Sequence, residues 1–326
     1  MRAIVCPRYG PPDVLRFAEV PKPVPRTGEV LIRVVTTTVT VADARVRAFR
    51  VPRAVWLPAR LSLGLRRPRR PILGAEVAGV VEAVGDGVTA FQVGEAVLGC
   101  TLPRFGAYAE YVCLRADSIL VHKPESLSFE DAAAIPVGAR TALHFLRRVG
   151  VGAGDRVMVH GASGSVGTYA VQVAKVLGAE VTGVCSTRNV DLVRSLGADH
   201  VLDYTQGNVF ADGTRYDVVL DCVGGVDFAE AARSLAGGGA YVAITDPLPT
   251  LRMLWARLTQ GVRLRLGEDI DAGADDLAYL VRLAEQGRLR PVIDRVVPLA
   301  EVTEAHRYVD TGRKRGNVVV RVGAER

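Results

Sequence analysis

Along roughly the first third of the chain, short apolar runs rich in Val and Thr are broken by Pro and Gly, as in "GEVLIRVVTTTVT" and "EVAGVVEAVGDGV". That texture predicts short β-strands joined by turns, and so a β-rich, barrel-like unit. From about Leu127 the pattern changes. The apolar runs "DRVMVH", "EVTGVCS", "DHVLDY", "YDVVLDC" and "GAYVAIT" are separated by helical patterns such as "NVDLVRSLGA" and "DFAEAARSLA". Strands alternating with helices predict right-handed βαβ units on a parallel sheet, hence an α/β fold. After Gly267 the chain reads as a helix "DDLAYLVRLAEQG", a run "VIDRVVPL", a helix "EVTEAHRYVDTG" and a closing strand "GNVVVRV". No solenoid-period repeat or low-complexity tail is present.

Composition narrows the picture. With 326 residues, 49% of them hydrophobic, the chain is long enough for two domains with buried cores. No stretch approaches the roughly 20 uninterrupted apolar residues of a membrane span, and the opening "MRAIVCPRYG" lacks an apolar signal core. The expectation is a cytoplasmic protein. The five cysteines, Cys6, Cys100, Cys113, Cys185 and Cys222, form no C-x-x-C pair, which argues against a zinc cluster or a disulfide framework. The formal charge of +6 comes from arginine. Such an excess can follow coding composition as well as a polyanionic partner, and nucleic-acid binding is not expected.

The candidate chemistry starts at "RVMVHGASGSVGTYAVQVAK". Gly161, Gly164 and Gly167, with Ala162, Ser163, Ser165 and Val166 between them, follow a strand and open a helix. Glycines at this spacing are a weak signal alone, but the flanking strand and helix and the βαβ units downstream make this a dinucleotide site. Small residues let backbone N–H groups at the positive end of the helix approach a diphosphate. About 20 residues on, an NAD site usually has an acidic residue. Here stand Ser186, Thr187 and Arg188, which can donate to a 2′-phosphate, so NADPH is expected; a solvated helix arginine is the alternative for Arg188. Val223 and Gly224, and Ile244 and Thr245, fall after strands, at the sheet edge where ligands bind. His160 reads as a strand-end residue bonded to backbone, and the five histidines show no metal or catalytic spacing.

The stretches "YGPPDVLRFAEVPKPVPRTGEVLIRV", "PILGAEVAGVVEAVGDGVTAFQVGEAVLG", "FGAYAEYV", "AAAIPVGARTAL", "GASGSVGTYAVQVAK" and "SLGADHVLDY" resemble the medium-chain dehydrogenase/reductase superfamily, in order and over nearly the whole chain. The nearest branch in character is the zinc-independent, quinone-oxidoreductase-like one. The resemblance implies a GroES-like β-barrel domain over 1–124, completed by 268–326, and a Rossmann doubly wound parallel sheet over 125–267. It also implies a homodimer paired through a sheet edge. Where zinc enzymes of the superfamily carry a ligating His in the motif matching "GAEVAG", this chain has Ala75 beside Glu76, and "TTTVTVADARVR" holds no ligating Cys. The supply of N and S donors is too small for zinc.

The resemblance also implies site residues. Thr40 and Val41 stand where the family usually has Asn and Pro. Thr40 keeps one donor and is the candidate catalytic residue, with a strand threonine bonded to backbone as the alternative. Asp43 matches the family and equally suits capping a helix that starts at Ala44. Thr141 matches a position touching the nicotinamide end, and Tyr204 one near the adenosine phosphate. Without a Lewis acid, reduction of a quinone or an α,β-unsaturated carbonyl is easier than oxidation of an alcohol, because a developing enolate needs only hydrogen-bond donors. The family implies that reaction, on a small-molecule quinone or enone. A non-catalytic NADPH-binding protein and a zinc alcohol dehydrogenase are the alternatives. Two apolar, arginine-rich segments remain, 49–70 and 250–268. Either can be a wall of the substrate pocket, with Trp56 and Leu57 facing in, or scaffold; 49–70, interrupted by Pro52 and Pro58, can also be an amphipathic lid over the cleft, an oligomer contact or a membrane-surface helix.

Overall fold

The computed structural model describes the chain except residues 52–54, 212, 246–249, 260, 268–269 and 324–326, and except the side chains of Leu251, Arg252 and Leu254. Pro52 of the segment 49–70 therefore lies outside the described residues, as do Gln260 and Glu268 of the second segment. The chain forms two compact units, Met1–Val137 with Gly273–Glu285 and Pro291–Arg326, and Gly138–Ala272 with Gln286–Arg290.

The first unit runs β1 (Arg2–Val5), β2 (Arg16–Glu19), β3 (Glu29–Thr38), α1 (Val41–Ala48), α2 (Trp56–Leu63), β4 (Glu76–Val84), β5 (Ala96–Cys100), β6 (Tyr111–Arg115), β7 (Leu120–His122) and the short α3 (Phe129–Ala134). The second holds α4 (Gly138–Val149), β8 (Arg156–His160), α5 (Ser165–Val176), β9 (Glu180–Cys185), α6 (Val190–Ser195), β10 (His200–Asp203), β11 (Tyr216–Asp221), α7 (Phe228–Ser234), β12 (Leu235–Ala243), α8 (Leu251–Thr259) and β13 (Arg263–Leu266). The chain then returns to the first unit with α9 (Ala274–Glu285), β14 (Ile293–Pro298), α10 (Val302–Asp310) and β15 (Asn317–Arg321).

In the first unit β3 pairs antiparallel with β4, β6 and β15, and β15 lies parallel to β14. The late strand β15 thus completes a sheet begun by β3. Val30, Ile32 and Val34 of β3, Val77 and Val81 of β4, and Val318 and Val320 of β15 share one core. Each such buried side chain contributes about 1.5–3 kcal/mol.

The second unit is a six-stranded parallel sheet in the order β10-β9-β8-β11-β12-β13. Two features differ from the sequence reading. β12 begins at Leu235, so the helix expected to continue through Ala236 ends at Ser234; Gly237–Gly239 follow, which a helix tolerates poorly. A sixth strand, β13, lies in the second arginine-rich segment; its sequence "RLRL" alternates strictly, as an edge strand does. Among the described residues no helix is long and apolar enough to cross a membrane.

Candidate functional site

Register sets the stage in the second unit. His160 of β8 is paired with Val184 of β9 and with Asp221 of β11, and Asp221 with Ala243 of β12. These four residues form one row near the carboxyl edge of the sheet. The Gly-rich turn, Ser186 to Arg188, Val223 and Gly224, and Ile244 and Thr245 all follow that row directly. The order of strands reverses between β8 and β11, and that is where open α/β sheets bind their ligands.

The turn itself is built by two glycines. Gly161 has φ +77°, and its N–H and that of Ala162 both donate to the Val184 carbonyl, at 3.1 and 3.0 Å. A Cβ on Gly167 would stand 2.1 Å from the Gly161 carbonyl oxygen and 2.8 Å from Ala162 Cα, so only glycine lets α5 start this close to the end of β8. Gly164 is different. It holds ordinary extended backbone as the N-cap of α5, and a Cβ there would meet only the Gly161 oxygen, at 3.4 Å. No side chain caps this twelve-residue helix. Ser163, Gly164, Ser165 and Val166 are half-buried, while Ala162 and Gly167 are buried in the packing beneath. The start of α5 is thus a cradle of backbone donors with the positive end of the helix dipole behind it, which fits a diphosphate.

Around this turn the side chains are tied together. Asn189, buried at the start of α6, donates to Ser163 Oγ at 3.0 Å and to Ser186 Oγ at 3.2 Å, linking the turn to the loop after β9. Thr187 Oγ1 donates to Asp203 at 2.5 Å, so its hydrogen is engaged rather than open to a ligand as expected. Arg188 is exposed, and Tyr204, also exposed, is fixed by its N–H to the Cys185 carbonyl. Thr141 is buried on α4, one turn after Gly138, where a Cβ would reach within 2.8 Å of Ser165 Oγ.

His160 bonds a side chain rather than backbone. Its Nδ1 lies 3.1 Å from Asp221 Oδ1, and that oxygen also accepts from the Val223 and Gly224 N–H groups. Burial pushes the Asp221 carboxyl up, but the His160 bond and the two N–H groups outweigh it and hold the carboxyl below its ordinary range. Asp221 thereby shapes the loop after β11. Gly224, with φ +84°, brings that loop to Thr245, whose Oγ1 would lie 3.0 Å from a Cβ there. The Ile244 N–H donates to the Asp221 carbonyl.

In the first unit, α1 begins at Val41, not Ala44. Thr40 is the N-cap and Asp43 the third residue of a capping box: Thr40 Oγ1 accepts from the Asp43 N–H at 3.1 Å and donates to Asp43 Oδ2 at 2.5 Å, and the Thr40 N–H donates to the same oxygen. Oδ1 accepts from the Gly74 N–H at 2.8 Å. Behind Asp43 lies a network that the sequence reading missed. A guanidinium can only donate, so Arg47 Nη1, 3.2 Å from His306 Nδ1, fixes Nε2–H as the donor to Tyr108 Oη, also at 3.2 Å. The Tyr108 hydroxyl in turn helps to hold the Asp43 carboxyl down. Arg47 also pairs with Asp310 at 2.6 Å. Burial and then the Arg47 charge pull the His306 imidazole down to about 3, keeping it neutral. Burial raises Asp43 to about 6 against all these donors.

Residues 26–125 match the alcohol dehydrogenase GroES-like domain family and residues 196–320 the zinc-binding dehydrogenase family. The chain is 33% identical to NAD(P)H oxidoreductase RTN4IP1, mitochondrial, of Bos taurus over 99% of this chain and 89% of that one. It is 31% identical to the NADPH-dependent alkenal/one oxidoreductase, chloroplastic, of Arabidopsis thaliana, over 98% of this chain and 79% of that one. The quinone oxidoreductase from Coxiella burnetii superposes with a TM-score of 0.87 at 31% identity, each chain 99% covered. This chain belongs to the medium-chain dehydrogenase/reductase superfamily. As a member it is an oxidoreductase using a nicotinamide cofactor, with a GroES-like first unit and a Rossmann-like second.

The dehydrogenase families include zinc enzymes, so the donor set of this superfamily member matters. Ala75, wholly buried, offers no ligand atom. The Glu76 carboxylate accepts from the Thr38 hydroxyl and, at 2.6 Å, from the Val137 N–H. Burial first, and then the charge of Asp43, push it up to about 8 against those donors and nearby Lys314. Among the described residues no three of His, Cys, Asp and Glu are grouped to hold a metal. The residues present do not fit zinc.

Nothing in local spacing marks Asn189, Asp221, Tyr108 or His306 as site-building residues. One signal was available in principle: Asp43 and Arg47 stand four apart on one helix face after a Thr cap.

Proposed function

We propose that the protein is a zinc-independent, NADPH-dependent reductase of quinones or α,β-unsaturated carbonyls. The observation that carries the reading is the Gly161–Gly167 approach, which presents an uncapped helix start at the reversal point of a parallel sheet. Gly161, Ala162, Ser163, Gly164, Ser165, Val166 and Gly167 are assigned to the diphosphate. Ser186 and Arg188 are assigned to the 2′-phosphate, with Thr187 shaping their loop through Asp203. Tyr204, Val223, Gly224, Ile244, Thr245 and Thr141 are assigned to the rest of the dinucleotide.

A bound nicotinamide dinucleotide supplies a hydride to the acceptor. The chain's part is to bind and orient, and to offer a hydrogen bond to the oxygen on which charge develops. Thr40 is the proposed donor. With Asp43 ionised, the Thr40 hydrogen points back at the carboxylate. Protonation of Asp43 reverses that bond, since the acid donates to Thr40 Oγ1 and the Thr40 hydrogen turns outward. An electron-poor C=C or quinone needs no stronger electrophile than this, and the donor set around Ala75 and Glu76 supplies none. The engagement of Thr40 with Asp43 is also what favours the second reading, a cofactor-binding protein without turnover. Homodimerisation through a sheet edge belongs to the same proposal. The test is oxidation of NADPH and NADH against a panel of quinones and alkenals. Turnover preferring NADPH is expected; cofactor binding without turnover of any acceptor would favour the second reading.

A further inference from the structure

The helix α2 buries none of its residues. Trp56, Leu57 and Leu61 are 47%, 61% and 55% exposed, and Leu65, just past the helix, 66%. Trp56 and Leu57, expected to face into a pocket, are both exposed. Leu57 and Leu61, four apart, share one helix face. This apolar surface is mounted rigidly. The Arg60 guanidinium lies 3.7 Å from the ring centre of Phe49, 4.7 Å from that of Tyr9 and 5.2 Å from that of Trp56, and donates to the Leu65 carbonyl. Tyr9 Oη donates to the Gly64 carbonyl at 2.9 Å, holding the end of the helix. Such cation–π contacts keep a helix with no buried residue in place.

The charge around it has one sign. Between Asp43 and Glu76 the sequence holds Arg45, Arg47, Arg50, Arg53, Arg60, Arg66, Arg67, Arg69 and Arg70 and no acidic residue. Arg66, Arg67, Arg69 and Arg70 are exposed, and among the described residues no carboxylate pairs with them. Arg50 and Arg47 reach Asp310 instead.

We propose that this face docks on an anionic lipid bilayer surface. Tryptophan and leucine flanked by unpaired arginines are the composition of a helix lying at the boundary of headgroups and acyl chains. The arginines select negative headgroups, each adding about fivefold to the partition. A nucleic acid would use the arginines and leave the leucines in water. The proposal is independent of the acceptor the enzyme reduces.

The test uses the full chain carrying Trp255→Phe, which leaves Trp56 as its one tryptophan, with vesicles of phosphatidylcholine alone and of phosphatidylcholine with phosphatidylglycerol. Binding to the anionic vesicles alone, weakening with salt and accompanied by a blue shift of Trp56 emission, is expected. The quadruple variant R66S/R67S/R69S/R70S should lose several hundredfold in partition, and L57S/L61S about tenfold or more. Because these residues are exposed, both variants should keep the wild-type unfolding midpoint. Equal binding to neutral vesicles, no binding, binding of single-stranded RNA in preference to vesicles, or self-association abolished by L57S/L61S would each overturn the proposal.

Discussion

Two glycines three residues apart, Gly164 and Gly167, make opposite predictions on mutation to alanine, because the structure gives them different neighbours. At Gly167 a methyl would meet backbone, the Gly161 oxygen at 2.1 Å and Ala162 Cα at 2.8 Å, and no rotamer relieves that. The start of α5 must move off the end of β8. Overpacking of this kind costs about 3 kcal/mol, of which the better helix propensity of alanine returns up to about 1, leaving a net loss of about 2 kcal/mol. At Gly164 the backbone is already extended and the nearest atom to a new Cβ is 3.4 Å away, so stability should change by less than about 1 kcal/mol. That methyl would, however, stand where a diphosphate must approach the N–H groups. Losing one charge-assisted hydrogen bond there costs about 1.5–3 kcal/mol, or about 10- to 150-fold in affinity. Urea unfolding monitored by circular dichroism and NADPH titration monitored by nucleotide fluorescence separate the two. G167A should lose stability, and G164A should keep it and lose NADPH. Wild-type NADPH affinity in a fully stable G164A would refute the cradle, and wild-type stability in G167A would refute the packing argument.

Arg188→Ala should weaken NADPH by about tenfold or more and leave NADH nearly unchanged, read from paired dissociation constants; equal loss of both would remove the phosphate role. Thr40→Val should lower kcat with little change in NADPH affinity, and Thr40→Ser should restore it. In the wild type turnover should rise as pH falls through about 6, where Asp43 takes up a proton, and Thr40→Val should flatten that profile. Glu76→Gln keeps an acceptor for the Thr38 hydroxyl and the Val137 N–H and removes a carboxyl raised to about 8 by burial. A raised folded-state value means that Glu76 costs stability as pH rises from its unfolded range of about 4 toward 8. Wild type should therefore fall behind Glu76→Gln across that window, by up to about 4 kcal/mol; denaturation midpoints that stay parallel from pH 4 to 8 would contradict it.

What could be read from the sequence was whatever local spacing encodes. The βαβ alternation and the strand, Gly-rich turn and helix at 156–176 follow from periodicity and turn chemistry within a few residues of one another. The positions after β9, β11 and β12 could be placed at one sheet edge because parallel strands share it. The network behind Thr40 could not. His306 is 198 residues from Tyr108 and 259 from Arg47, and only the return of α10 to the first unit brings them together. The engagement of Thr187 with Asp203 is equally non-local, since it depends on β10 lying beside β9. The cap of α1 was misplaced by three residues because Thr40 and Asp43 are both good capping residues, and only their reciprocal bonding distinguishes the N-cap from its partner. The edge strand β13 was hidden by its arginines, which made "RLRL" read as part of a basic segment.

In the proposed reaction hydride passes to an electron-poor acceptor in a chain that holds no zinc. The deciding experiment is the initial rate of NADPH oxidation with a quinone and with an alkenal, on protein dialysed against a chelator and assayed for metal in the same sample. Undiminished turnover at a zinc content far below one per chain is expected. Turnover that vanishes on dialysis and returns in proportion to added zinc would contradict it.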